Sequence, residues 1–138
     1  MTALDTNVLV RFFTRDSIAL ADLAARLIAD RPVFIAVTVL LETEWVLRGR
    51  YRIDRRAILE IFAEFAGLST VTLQHRDVVE RAMQWSRDGM EFADAIHLGF
   101  ASLATAFATF DERLAKRSAA LRTKPQATHP AQLEPLAP

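Results

Sequence analysis

The chain has 138 residues, of which 51% are hydrophobic and 25% charged, and this is the composition of one globular domain with a substantial core. Its 17 basic and 17 acidic residues cancel, which excludes a protein that binds polyanions over its whole surface. The absence of cysteine excludes disulfides and thiolate zinc sites, and the longest apolar run is interrupted by Asp94 and His97, so no membrane span is expected.

The predicted elements alternate between short strands and helices from the first residues onward. TALD is predicted to be a buried strand, followed by a turn at Asp5 to Asn7 and a helical turn. Ser17 is expected to cap a helix that runs to about Ala29, and VFIAV is predicted to be a second strand. Thr38 is expected to cap the next helix, VLLETEWVLRGR.

The second half of the chain continues the same alternation. Asp54 is expected to cap the helix RRAILEIFAEFA, and STVTL follows as a third strand. The next helix runs from about His75 to Arg87, where the pair DG breaks it. EFADAIHLGFASLATAFATFD begins as a helix that is apolar nearly all round and ends as a strand that leads into Asp111. ERLAKRSAAL is the last predicted helix, and the tail from about residue 123 holds one short strand before coil.

This alternation predicts an α/β fold of a single domain over residues 1–138. Strands separated by helices of this length favour a three-layer α/β/α sandwich, with a central, mostly parallel sheet covered on both faces. The carboxyl ends of parallel strands form the usual site crevice. Asp5 and Asp111 each follow a predicted strand directly, so we expect both carboxylates at the same edge of the sheet.

Asp94 lies near the start of a long apolar run, where an isolated carboxylate is costly to bury. One interpretation is an acidic residue that caps the helix or is favoured by its dipole. The other is a carboxylate that shares a site with further acids and a cation. His97, one turn on, is interpreted as a hydrogen-bonded core histidine and takes no part in the predicted chemistry.

A further candidate acid lies in LLETEWVLR, where Glu42 and Glu44 are two residues apart. On a helix they point roughly 200° away from each other, so only one of them faces a given crevice. Each has apolar neighbours on its own side, and periodicity therefore does not choose between them. Glu42 is nearer to the helix start and to the presumed edge of the sheet.

Four segments, in order, resemble the acidic motifs of PIN-domain ribonucleases, specifically the VapC-type toxins of toxin–antitoxin pairs. They are DTNVLVR, LLETEW, EFADAIHL and ATFDERL, and together they extend over nearly the whole chain. The resemblance implies the strand order of the PIN fold and an acidic quartet made of Asp5, Glu42, Asp94 and Asp111. It thereby places Glu42, and not Glu44, in the second position.

The same resemblance implies further site residues and partners. Thr6, Asn7 and Thr109 would be polar supports near the acids. The partners would be an RNA substrate, a cognate antitoxin protein and a second copy of the chain in a homodimer. Because the N-terminus shows no signal peptide, we expect a cytoplasmic protein.

Four converging carboxylates predict a divalent cation, since without one they would repel each other. Oxygen ligands without cysteine or a histidine cluster favour Mg²⁺ or Mn²⁺ over zinc. We expect Asp5 and Asp94 to be the main metal ligands, and Glu42 and Asp111 to complete the site. The expected reaction is in-line hydrolysis of an RNA phosphodiester bond. The resemblance implies products with a 5′-phosphate and a 3′-hydroxyl.

The segment RGRYRIDRR, residues 48 to 56, is a candidate path for RNA. Arg48, Arg50 and Arg52 surround Tyr51, and arginine forks bind phosphate while an aromatic ring stacks on an unpaired base. Such a charged run between helices is more often solvated surface than a binding site.

Two alternatives from other classes remain open. One is a PIN-like interaction module that has lost catalysis, although all four acids are present. The other is a metal-dependent phosphatase that forms a phosphoenzyme at Asp5. A haloacid-dehalogenase-like phosphatase would want a second aspartate at position 7, where this chain has Asn7.

Overall fold

A computed structural model describes residues 1–137 of the chain. The described residues form two compact units, of which the first spans Met1–Val79 and the second begins at Glu80. The single domain over residues 1–138 therefore remains a prediction.

The first unit contains a three-stranded parallel sheet with the strand order β1-β2-β3. Its elements are β1 (Thr2–Ala3), α1 (Thr6–Thr14), α2 (Ile18–Asp30), β2 (Val33–Ile35), α3 (Val37–Gly49), α4 (Arg55–Ala66) and β3 (Val71–Leu73). In the register of the sheet, Val33 lies opposite Thr2 on one side and opposite Val71 on the other. Each pairing joins strands that are separated by helices, as the sequence predicts for a parallel sheet.

Helix α1 begins earlier and runs longer than predicted. Instead of a turn through Asn7, the helix starts at Thr6, with Asp5 as its N-cap. The reason is tertiary, because Leu9 and Val10 are buried and the rings of Phe12 and Phe13 pack on phenylalanines of α4. Buried aromatic area stabilises this nine-residue helix, which would be marginal in isolation.

Two of the three predicted helix caps in this unit are confirmed. The side chains of Ser17 and Asp54 accept bonds from the first turns of α2 and α4. Thr38 is not the cap of α3, which begins at Val37. The amide of Val37 instead donates to Oε1 of Gln74, at 3.0 Å, so a distant side chain satisfies this helix end.

The second unit contains a parallel pair of strands in which Phe107 lies opposite Ala127. The boundary between the two units, after Val79, falls within helix α5 (Arg76–Arg87). The further elements are α6 (Phe92–Gly99), β4 (Phe107–Ala108), α7 (Glu112–Leu121), β5 (Ala127–Thr128) and a 3-10 helix, Pro130–Gln132. The predicted helix break after Arg87 is confirmed, since Gly89 adopts a positive φ of 106° that favours glycine.

Helix α6 is shorter than the sequence pattern predicts, because it ends at Gly99. The residues that follow form turns, and Leu103 is fully exposed there instead of extending a buried helical face. The chain then enters β4, which pairs with β5. Ser118 links α7 to β5, because its buried Oγ accepts a bond from the amide of Ala127 at 2.7 Å.

All strand pairs within residues 1–137 are parallel and alternate with helices, so the predicted α/β class is confirmed. The helices in this part of the chain all lack the combination of length and apolar character that crossing a membrane requires.

Candidate active site

Asp5 lies just beyond β1, where the sequence places a site residue. Its Oδ1 accepts a bond from the amide of Thr6 at 2.8 Å, which fixes the orientation of the exposed carboxylate. The hydroxyl of Thr6 is buried and has no hydrogen-bond partner within residues 1–137. A buried hydroxyl without a partner is costly, and its position next to Asp5 is consistent with the predicted polar support.

The structure distinguishes the surroundings of Glu42 and Glu44 in α3, which the periodicity of the sequence leaves open. The side chain of Glu44 is only 3% exposed, and its Oε1 forms an ion pair with Nε of Arg48 at 2.9 Å. Glu42 is exposed on the same helix. Glu44 is therefore occupied by a structural ion pair, whereas the carboxylate of Glu42 is accessible to a ligand.

Asp94 lies in the first turn of α6 and is half-buried. Burial raises the pKa of Asp94 above its ordinary value, and the negative charge of Asp111 raises it further. His97 lowers the pKa of Asp94 and Glu91 raises it, both to a smaller extent. Asp94 and Asp111 thus lie close enough to repel each other, as the quartet hypothesis requires of this pair.

Asp111 follows β4 and is the N-cap of α7. Its Oδ1 accepts bonds from the amides of Arg113, at 2.9 Å, and Leu114, at 3.1 Å. The hydroxyl oxygen of Thr109 accepts a bond from the amide of Asp111 at 3.0 Å. Thr109 therefore helps to position Asp111.

The effects of Glu91 and His97 on the charge of Asp94 were not predicted from the sequence. His97 was interpreted as a core residue, but it is exposed. Glu91 and His97 lie three residues before and after Asp94, a spacing that places side chains on one helical face. This spacing, read from the sequence alone, predicts that Glu91 and His97 affect the charge of the Asp94 carboxylate.

Asn7 and the residues of the arginine segment differ from one another in their exposure and bonding. Asn7 lines a groove of about 370 Å³ between α1 and α2, together with Leu20 and Leu23. Arg50 and Arg52 are exposed, as a phosphate-binding role requires. Tyr51, in contrast, donates from its hydroxyl to Asp16 at 2.6 Å and is therefore held by a structural bond.

Arg48 and Asp16, which both belong to the first unit, each form an ion pair. Nε of Arg48 is bonded to Glu44, which competes with the predicted contact to substrate. Asp16 accepts from Arg11 at 2.7 Å as well as from Tyr51. The bond from Arg11, followed by the bond from Tyr51, lowers the pKa of Asp16 to about 2.

The predicted metal site can be tested against the donors present. Within residues 1–137, no group of three or more His, Cys, Asp or Glu side chains is arranged so that it could hold a metal ion. The chemistry of the individual donors nevertheless fits a hard divalent cation. Asp94 is a half-buried carboxylate beside a second carboxylate, and a cation would relieve their repulsion.

Comparisons with known proteins support a family assignment. A model of the PIN domain matches residues 2–120, a range that includes all four candidate acids. No curated protein matches the chain. Among solved structures, the chain is similar to VapC20 of Mycobacterium tuberculosis, described as a toxin that cleaves the sarcin–ricin loop. The identity is 23%, the match covers 87% of this chain and 95% of that one, and the TM-score is 0.41.

Proposed function

The chain belongs to the PIN domain family, and on this premise we propose that it is a metal-dependent endoribonuclease whose catalytic residues are Asp5, Glu42, Asp94 and Asp111. The observation that carries the proposal is the family match over residues 2–120, which spans all four acidic motifs in their expected order. The reaction is hydrolysis of an RNA phosphodiester bond, with a 5′-phosphate on one product and a 3′-hydroxyl on the other.

Asp5 and Asp94 would be the main ligands of Mg²⁺ or Mn²⁺, and Glu42 and Asp111 would complete the set. When bound, the cation would supply electrostatic stabilisation of the attacked phosphate and of the leaving oxygen. The chain itself contributes orientation. The amide of Thr6 holds the carboxylate of Asp5, and the first turn of α7 holds that of Asp111. Glu42 or Asp111 would orient the attacking water.

We further propose that the protein is the toxin of a toxin–antitoxin pair. The support is the resemblance of its four motifs to VapC-type toxins, and the proposed partners follow from it: an RNA substrate, a cognate antitoxin protein and a second copy of the chain. The proposed location is the cytoplasm. Arg50 and Arg52, which are exposed, are the better candidates for contacts to the RNA backbone, because Arg48 already pairs with Glu44.

The decisive experiment measures cleavage of a mixed cellular RNA pool by the purified chain, with Mg²⁺ or Mn²⁺ and with chelator. Asp5→Asn and Asp94→Asn remove proposed ligands, and Asp30→Asn is the matched control at an exposed aspartate without a proposed role. We expect cleavage only with metal, and only by the wild type and Asp30→Asn. Cleavage by the Asp5 and Asp94 variants at the wild-type rate would exclude the proposed site.

An inactive PIN-like interaction module is the second candidate. It is favoured by one observation, that residues 1–137 contain no group of three or more potential ligands arranged to hold a metal. Titration calorimetry with Mn²⁺ separates the two candidates before any RNA is added. The nuclease is expected to bind Mn²⁺, with weaker binding after Asp94→Asn, whereas the inactive module is expected to bind none.

A further inference from the structure

An exposed aromatic side chain directly precedes Asp111 in the second unit. Phe110 is 80% exposed, although it follows β4 and lies beside a capped helix. Single exposed hydrophobic residues are common on protein surfaces, so exposure alone assigns no role. Two further observations, an aromatic partner and an adjoining cleft, distinguish this position.

The aromatic partner is His129, which follows β5. The ring centroids of Phe110 and His129 are 5.5 Å apart, and the rings meet edge to face at 74°. Nδ1 of His129 accepts a bond from the amide of Ala131 at 3.0 Å, which fixes the imidazole ring. The two rings therefore form an aromatic pair on the surface, in which the orientation of the imidazole is held by its bond to the amide of Ala131.

The cleft is next to this pair and has a volume of about 590 Å³. This is within the range of roughly 300–1,000 Å³ that is usual for small-ligand sites. The residues that line it include Asp111, Glu112, Lys116, Gln126, Thr128 and His129. His129 belongs both to the aromatic pair and to the cleft, and Asp111 belongs both to the cleft and to the proposed catalytic quartet.

The charges of the cleft indicate what it can accept. Asp111 and Glu112 present two carboxylates, which repel a phosphate group. A neutral ring with polar edges meets no such repulsion, and Gln126 and Thr128 offer amide and hydroxyl groups to those edges. Lys116 supplies one cation, which suits the phosphate of the same nucleotide.

We infer that the aromatic pair of Phe110 and His129, together with the cleft that His129 lines, binds an unpaired RNA base, which stacks on the pair and belongs to a nucleotide adjacent to the bond that is cut. Aromatic side chains bind single-stranded RNA by stacking on its bases, largely without regard to sequence. For the identity of its substrate the inference rests on the proposed nuclease function. It adds a binding subsite and two positioning residues that the acidic quartet does not include.

The test measures binding of a short single-stranded oligoribonucleotide to the full chain, in chelator so that no cleavage is expected. A ribose–phosphate chain of the same length without bases serves as the second ligand. Phe110→Ala should weaken binding of the oligoribonucleotide about tenfold, because one base–aromatic stack is lost. Binding of the chain without bases should stay as in the wild type.

Two further variants complete the test. Leu103→Ala removes another exposed apolar side chain of the same unit, and it should bind both ligands as the wild type does. Phe110→Trp should bind the oligoribonucleotide at least as tightly as the wild type, and stacking should quench its added indole emission. Wild-type affinity in Phe110→Ala, or an equal loss for both ligands, would overturn the inference. Absence of any oligoribonucleotide binding to the wild type would also overturn it. A protein segment would then be the better candidate ligand for this surface.

The outcome separates this inference from the proposed function. If the wild type cuts RNA with metal but Phe110→Ala has an unchanged KM and affinity, the subsite is wrong and the nuclease stands. If the wild type cuts nothing but shows the stacking signature at position 110, the base-binding subsite stands and the nuclease proposal fails.

Discussion

Glu44 in the first unit and Asp94 in the second are both removed from solvent, but their surroundings are opposite. Glu44 is almost fully buried and faces the guanidinium of Arg48. Asp94 is half-buried, and a second carboxylate, that of Asp111, raises its pKa further. A carboxylate that is paired with a cation within the chain contributes to structure. One placed beside another carboxylate destabilises the fold unless a cation from outside compensates it.

The largest effect on stability is expected where the internal pair is broken. Arg48→Met keeps most of the apolar stem of the side chain but leaves the carboxylate of Glu44 buried without a cation. The free energy of unfolding should fall by about 2 kcal/mol, because Glu44 loses its charged partner; the loss is smaller than for a fully buried pair, since the side chain of Arg48 is 38% exposed. Arg50→Met is the control, since Arg50 is exposed, and it should change stability by less than about 0.5 kcal/mol. Chemical denaturation measures both, and equal effects would remove the contrast between Glu44 and Asp94.

Asp111 allows structure and chemistry to be separated at one position. Asp111→Ala removes the acceptor for two amides of α7 and should lower the free energy of unfolding by about 1 kcal/mol. Asp111→Asn keeps an oxygen acceptor at the cap and should be nearly as stable as the wild type, yet it should lose most of the cleavage activity. If Asp111→Asn kept full activity, the role of this residue would be limited to capping.

Asp94→Asn should show the opposite sign to Arg48→Met. Without metal, the substitution removes a charge that burial and Asp111 disfavour, so the melting temperature should be no lower than that of the wild type. Differential scanning calorimetry in chelator measures this. A clear drop in melting temperature would show that the negative charge of Asp94 supports the helix end, which was the capping or dipole interpretation of this residue.

The smallest effect is expected at Asp16, an exposed carboxylate with two partners in the first unit. Arg11 and Tyr51 lower its folded pKa to about 2, below its ordinary value of 3.8. Its contribution to stability is therefore fully present above pH 4 and is lost as the pH falls from about 4 to about 2. Asp16→Asn should flatten the acid limb of the melting-temperature profile, and Tyr51→Phe should flatten it less. An unchanged profile for Asp16→Asn would contradict this.

Local signals in the sequence predicted much of the fold. Ser17 and Asp54 cap their helices because a side-chain oxygen next to a helix start reaches amides of the same turn. The alternation of strands and helices predicted parallel pairing, which every strand pair in residues 1–137 shows. Thr38 failed as a cap because Gln74, 37 residues further along than Val37, supplies the acceptor.

The sequence by itself determined the residue types available to the site: acids in four motifs, no cysteine, and an aromatic residue before Asp111. Only the tertiary structure decided how each is used. It pairs Glu44 with Arg48 and leaves Glu42 exposed, it sets Asp94 against Asp111, and it brings His129 onto the ring of Phe110. The physical reason is that a side chain's charge state and accessibility depend on burial and on distant neighbours, which the spacing of residues along the chain does not encode.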